Sequence, residues 1–297
     1  MRIASIEHLE KQLGRKLYYK NIVAIGAIHF MSLIGIVWGV YFGFTAFHWI
    51  LAFVMYGVQG FGTTLAYHRF FTHNSFKCSS KYVARILAFM GGMTGQDAWG
   101  WVRTHRTHHL YTDTPRDPHS PVQSGFFWAH VGWLLVHLDI PDDVKTDDLD
   151  KNETIQWERK WHNNILIGSF VFVLIVSGLE GLFRDGSFMS VLEGGIGGLL
   201  LAGFIRFTVV LQVTWCVNSV CHLWGSQMPE TAPGDTSRNN GIVGLLALGE
   251  GWHNWHHIAQ HLARQGRFWW QIDLTWYLIC LGEWMGIFTD VKRPKPL

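Results

Sequence analysis

The 297-residue sequence is short of charge, of cysteine and of several familiar signatures. Asp, Glu, Lys and Arg make up only 15% of it, against about 25% in a typical soluble domain. A net charge of +2, with no basic run interleaved with aromatics, speaks against nucleic acid as a partner. Four cysteines (Cys78, Cys216, Cys221, Cys280) form neither a disulfide framework nor a CxxC pair, which suits a reducing compartment or burial in a membrane. The HExxH motif of zinc peptidases is missing, and so are the paired ExxH motifs of carboxylate-bridged di-iron bundles. The charged opening, MRIASIEHLEKQLGRKLYYK, does not resemble a cleaved signal, because the apolar segment after it is too long.

What is present is apolar. Hydrophobic residues reach 48%, with 16 Trp and 20 Phe, and they gather in two long blocks, about 21–66 and 165–217. About 20 residues cross a bilayer core, so each block can cross twice: 22–42 and 48–66, then 165–183 and 191–217. The short links predict two helical hairpins. Of the 24 lysines and arginines, only Arg184 falls in such a link and only Arg206 within the fourth crossing. The positive-inside rule therefore predicts that segments 67–164 and 218–297 are cytoplasmic. The tract 86–94 is too short to span. The tract Phe268–Phe288 carries Asp273 and Glu283 among Trp and Tyr, and reads as an interfacial helix.

Nine of the 17 histidines fall in four clusters: HRFFTH (His68, His73), HRTHH (His105, His108, His109), NSVCH (His222) and HNWHH (His253, His256, His257). Residues at i, i+3 and i+4 share a helix face, so each HxxHH can aim three imidazoles at one place. His68 and His73, five apart, diverge on a continuous α-helix and so suggest a helix end. Two crossings separate the early clusters from the late ones, which puts all nine on one side of the membrane. One ion cannot use nine imidazoles, so two ions are implied. An all-imidazole set fits redox iron with positions open for dioxygen, and spacing alone leaves zinc open. Asp113, Asp117 and Glu250 lie near the motifs and are candidates to orient the rings through their other nitrogen. His119, in DPHS, is a further candidate for such a supporting role. The lone histidines His8, His29, His48, His130, His137, His162 and His261 read as hydrogen-bonded structural residues.

The order HRFFTH, HRTHH, NSVCH, HNWHH, with TDTPRDPHS, GFFWAHVGWLL, TSRNNGIVGLLALGEGWHNWHH and WWQID, resembles the membrane-bound fatty acid desaturases, in particular those that act near the middle of a saturated acyl chain. The resemblance runs from about His68 to Asp290. It implies two iron ions held by His68, His73, His105, His108, His109, His222, His253, His256 and His257, with Asn218 reaching one through a water. It implies no catalytic residue beyond these. Asp97, Trp101 and Arg103 match positions that line the substrate entrance. One departure stands out: the animal acyl-CoA enzymes carry an Arg-Lys pair after GWLLV, where this chain has His137 and Leu138, then Asp139, Asp142 and Asp143. Without those phosphate contacts, an acyl group on a glycerolipid or a carrier protein becomes at least as fitting as acyl-CoA.

The expectation is an all-α integral membrane protein. It has a single domain over 1–297, four transmembrane helices in two hairpins, and a cytoplasmic helical cap carrying a histidine-rich di-iron site. The expected partners are the lipid bilayer, a fatty acyl substrate, dioxygen as co-substrate and a separate electron donor such as a ferredoxin or cytochrome. The rival readings are a hydroxylase or acetylenase on the same scaffold, and a non-catalytic metal- or lipid-binding membrane protein.

Overall fold

The computed structural model describes residues 14–294, so the expectations for His8 and for the last residues of the tail lie outside the described residues. In chain order the main elements are α1 (Tyr19–Tyr41), α2 (Ala46–Phe61, running on as a π-helix over Gly62–Thr72), β1 (Lys77–Cys78), α3 (Lys81–Gly91) and α4 (Ala98–Tyr111). There follow α5 (Glu153–Asp185), α6 (Phe188–Gly198, running on as a second π-helix over Leu199–Ile205), α7 (Arg206–Leu223), α8 (Gly241–Leu246), α9 (His253–Ile258), α10 (Leu274–Trp284) and β2 (Phe288–Thr289).

Four continuous helices are long and apolar enough to cross a membrane: Tyr19–Tyr41, Ala46–Thr72, Glu153–Asp185 and Phe188–Leu223. At 1.5 Å per residue the first reaches roughly 35 Å, a little more than the roughly 30 Å hydrocarbon core. The third and fourth, of 33 and 36 residues, reach about 50 Å. They overhang the expected crossings at 165–183 and 191–217. Their overhanging ends, together with the end of α2, carry side chains into the region of the histidine motifs.

The helix ends follow local chemistry. Thr45 and His48 form a reciprocal cap, the Thr45 hydroxyl accepting from His48 N and His48 Nδ1 accepting from Thr45 N. Asn152 caps α5 through Thr154 N and Ile155 N. α5 and α6 meet backbone to backbone, and a Cβ built on Gly181 would lie 2.0 Å from the Ser190 carbonyl oxygen. Small residues permit such approaches where lipid supplies no hydrophobic drive between helices. The first two crossings are arranged differently. α1 packs chiefly on the π-helix Leu199–Ile205, not along α2.

Neither remaining apolar tract is among the candidate crossings: 86–94 is too short, and 268–288 carries Asp273 and Glu283. The tract 86–94 ends α3, and the tract 268–288 contains the 11-residue α10. Trp269 and Trp284 beside it are more than four-fifths exposed, the exposure expected of an interfacial segment. The two short strands pair antiparallel, Lys77 with Thr289 and Cys78 with Phe288, and tie the chain's end to the turn after α2. Beneath them Leu65, Tyr67, Phe71, Phe76, Ala98, Val102 and Ile279 form the main buried cluster.

Four of the lone histidines hydrogen-bond through their rings, whereas His261 is exposed. His29 bonds the Ile25 carbonyl and Gln212, His48 the Gly194 carbonyl, His130 Ser219 and Gln212, and His162 Glu158. His137 packs its ring on Tyr18.

Candidate metal centre

All nine clustered histidines converge, and they do so in two groups. His68, His73, His105, His109 and His256 form one; His108, His222, His253 and His257 form the other. Within each group the ring nitrogens lie within 4.8 Å of one another. α4 serves both. Its His105 and His109 enter the first group while His108, on the neighbouring stripe, enters the second. α9 divides the same way, His256 going to the first group and His253 with His257 to the second.

The pair in HRFFTH departs from the simple expectation. On an α-helix residues five apart differ by about 140° in direction. Here Gly62–Thr72 is a π-helix, and His73 N–H bonds the His68 carbonyl at 3.1 Å. The wider turn brings positions five apart over one another, and the two rings sit 4.8 Å apart. The helix does end here, with His73 as its cap, but the winding rather than the end aligns the pair.

The chemistry of the donor set fits metal ions. His108 Nδ1 donates to Asp117 at 2.9 Å, His222 Nδ1 to Asp113 at 3.1 Å and His257 Nδ1 to Asp235 at 3.1 Å. A neutral ring that donates through Nδ1 presents a bare lone pair at Nε2. Yet His108 Nε2 and His257 Nε2, both left bare in this way, face each other at 3.2 Å. Acceptor against acceptor is repulsive unless a cation lies between them. Imidazole–metal bonds of about 2.1 Å at right angles put neighbouring nitrogens about 3.0 Å apart. The first group shows the same spacing, with Nε2 pairs at 2.9 Å (His68–His256, His105–His109) and 3.0 Å (His109–His256).

Electrostatics keeps the rings available as ligands. Burial, reinforced by neighbouring imidazoles, holds His73, His105, His109, His253 and His256 well below the ordinary histidine value. Burial takes His257 down to about 4 despite Asp235. Burial also opposes charge on His108, but the Asp117 carboxylate outweighs it and raises that residue. Burial alone would raise Asp235, and the hydrogen bond from His257 brings it instead to about 2.

Asp113, Asp117 and Glu250, the sequence candidates for orienting the rings, all touch a histidine; Glu250 meets His68 Nδ1. Asp235 does the same for His257 and escaped the sequence reading, although it lies in the GDTSRNN run just before the last motif. His119 lies against His108, ring centroids 4.4 Å apart, beside Asp117.

A cavity of about 190 Å³ opens onto both groups. Ile25 and Ile28 of α1, Leu166 of α5 and Phe207 and Val210 near the start of α7 give it an apolar wall, and His68, His105 and His253 lie at its histidine end. Asn218, one turn before His222, lines it, and so does Trp101, whose ring stacks on His105. Asp97 and Arg103 are not on its wall. Asp97 caps α4 through Gly100 N, and the Arg103 guanidinium lies over Trp99.

Four apolar helices, with nine imidazoles paired into two clusters at the head of an apolar cavity, define a membrane protein with a site compatible with metal. The chain belongs to the fatty acid desaturase family, whose model matches residues 45–279. It is 37% identical over 288 residues to the acyl-CoA C20 Delta5-desaturase of Anemone leveillei, covering 93% of this chain and 82% of that protein. It is 34% identical over 285 residues to Delta-9 acyl-lipid desaturase 2 of Arabidopsis thaliana, covering 94% and 84%. With the sn-1 stearoyl-lipid 9-desaturase of Anabaena variabilis it shares 35% identity over 277 residues, covering 90% and 94%.

Proposed function

We propose that this protein is an oxygen-dependent di-iron desaturase that introduces a double bond into the acyl chain of a membrane glycerolipid. The observation that carries the reading is that two imidazole clusters meet a single apolar cavity. One iron is held by His68, His73, His105, His109 and His256. The other is held by His108, His222, His253 and His257, with Asn218 placed to reach it through a water. The iron pair supplies dioxygen activation and the removal of two hydrogens from adjacent methylenes.

In balance, one CH2–CH2 unit, one O2, two electrons and two protons give one CH=CH unit and two waters. A separate donor, a ferredoxin or cytochrome, delivers the electrons. The protein's own part is positioning. The C–H bonds along an acyl chain are nearly equivalent, so the cavity wall selects among them by fixing which carbons lie beside His68, His105 and His253. Trp101, stacked on His105, presses the chain towards the site and helps keep water away.

Two features favour a glycerolipid over acyl-CoA. His137 and Leu138 stand after GWLLV, and the acidic residues Asp139, Asp142 and Asp143 follow, a poor setting for the phosphates of CoA. The bilayer around the four crossings supplies glycerolipid directly. The basic distribution of the sequence favours a cytoplasmic site.

The test is the fatty acid profile of cells expressing the chain, read by gas chromatography–mass spectrometry, beside a His105→Ala control. A new acid two hydrogens lighter than its precursor, absent from the control, supports the reading. A gain of one oxygen instead would mark a hydroxylase. Purified protein given labelled acyl-glycerolipid or acyl-CoA with reduced ferredoxin then tests the carrier, and turnover of acyl-CoA alone would overturn the glycerolipid assignment.

A further inference from the structure

The two histidine groups are similar in shape but unequal in what stands behind them. In the five-histidine group the carboxylate that meets a ring is Glu250, on His68 Nδ1. Its other oxygen accepts from Arg69 Nη1 at 2.6 Å, so a cation, shared with Asp273, offsets its charge within the same contact. The buried Nδ1 atoms of His109 and His256 have no hydrogen-bond partner.

In the four-histidine group, three of the four rings are backed by Asp117, Asp113 and Asp235. Their remaining partners are neutral. Asp113 accepts from Ser120 Oγ and from Thr236 N and Oγ1; Asp117 from Asp113 N and His119 N; Asp235 from Ser237 N. Among the described residues none of the three forms an ion pair with Lys or Arg. Three carboxylates without a Lys or Arg partner therefore stand one imidazole away from one ion, while the single carboxylate behind the other has Arg69, shared with Asp273, beside it.

Ligand number does not cancel this difference, because imidazole and the water that Asn218 would hold are neutral donors. Carboxylates behind liganding imidazoles make the rings more basic and favour the more highly charged state of the metal. We infer that Asp113, Asp117 and Asp235 make the two irons electronically unequal, so that the iron of the four-histidine group is the first of the pair to be oxidised. The inference rests on the two-iron reading above and deepens it: the three aspartates act as positioning residues that set the order in which the irons give up electrons.

The test uses the purified full chain in detergent, loaded with 57Fe(II) and titrated anaerobically with ferricyanide. Each ferricyanide takes one electron from one ferrous ion and becomes ferrocyanide. Mössbauer and electron paramagnetic resonance spectra are recorded at half-oxidation. The expected result is a half-oxidised pair with one ferrous doublet bleached before the other. Asp235→Asn, chosen because the residue is the least enclosed of the three, should perturb the doublet that bleaches first and shrink the half-oxidised population. Asp235→Glu should restore it. Simultaneous oxidation of both irons in the unaltered chain overturns the inference, and so does a perturbation by Asp235→Asn confined to the doublet that bleaches second. Fewer than two irons per chain would instead overturn the two-iron reading, so the two failures are distinguishable.

Discussion

Arg69 and Glu250 stand 181 positions apart in sequence, and the guanidinium donates to the carboxylate across 2.6 Å. Arg69 is almost fully enclosed, and it also bonds both oxygens of Asp273 and the Ala263 carbonyl. One side chain thus ties the end of α2 to the segment before α9 and to the cap of α10. Arg69→Met would leave two carboxylates without their cation. Removing one partner of a buried ionic pair costs about 3–5 kcal/mol. Thermal unfolding in detergent should show a marked loss of stability, and an unchanged midpoint would mean that Glu250 and Asp273 are held by other groups.

Asp117 should control metal retention. It accepts from His108 Nδ1 and is buried. Loss of such a partner typically lowers metal affinity about 10–100-fold. Asp117→Ala should therefore lose one of two irons on dialysis against a chelator while keeping the other, as read by elemental analysis. Equal loss of both would show that the two groups bind as one unit.

Tyr56 should limit how far an acyl chain can extend. It lies on the cavity wall three turns of α2 from His68, and its hydroxyl donates to the Leu246 carbonyl at 2.6 Å. Tyr56→Ala removes the ring and opens the cavity past α8. Competition between acyl chains of different length should then shift towards longer ones, judged from the product distribution. A shift towards shorter chains would place the limit elsewhere.

Acid should weaken the metal-free protein in a definite range. In the unfolded chain the histidines take up protons near pH 6.5, whereas His73, His105, His109, His253 and His256 resist protonation far below that and His257 until about pH 4. Between those limits the unfolded state binds more protons, so the stability is complete above pH 6.5 and is lost as pH falls. His108 acts in the opposite sense, because Asp117 raises it, and offsets part of the effect. Unfolding midpoints should drop between pH 7 and pH 5, and a flat profile would contradict the burial of these rings as neutral groups.

The sequence made the crossings legible because an uninterrupted apolar run has few alternatives to a membrane helix. The convergence of the nine histidines was legible too, since HxxHH on a helix fixes a face. The division of those nine into five and four was not. It depends on how α4 and α9 are rotated relative to each other, and helical spacing is silent on that. Asp235 was missed because it sits on a loop, where no periodicity relates it to His257. Arg69 read as one more basic residue of a cytoplasmic segment, and only the fold turns it inward onto Glu250 and Asp273.

The π-helix at Gly62–Thr72 holds one residue more per turn than an α-helix of the same reach. Such a segment stores slack inside an otherwise regular rod. Chain length between His68 and His73 is therefore a setting in its own right. Ordinary α-winding at the present spacing would part the two imidazoles by about 140°, whereas deleting one residue between them would make them i and i+4, about 40° apart on an α-helix. Winding and residue count are therefore coupled here: a five-residue spacing needs the wider turn, and a four-residue spacing would need the ordinary one.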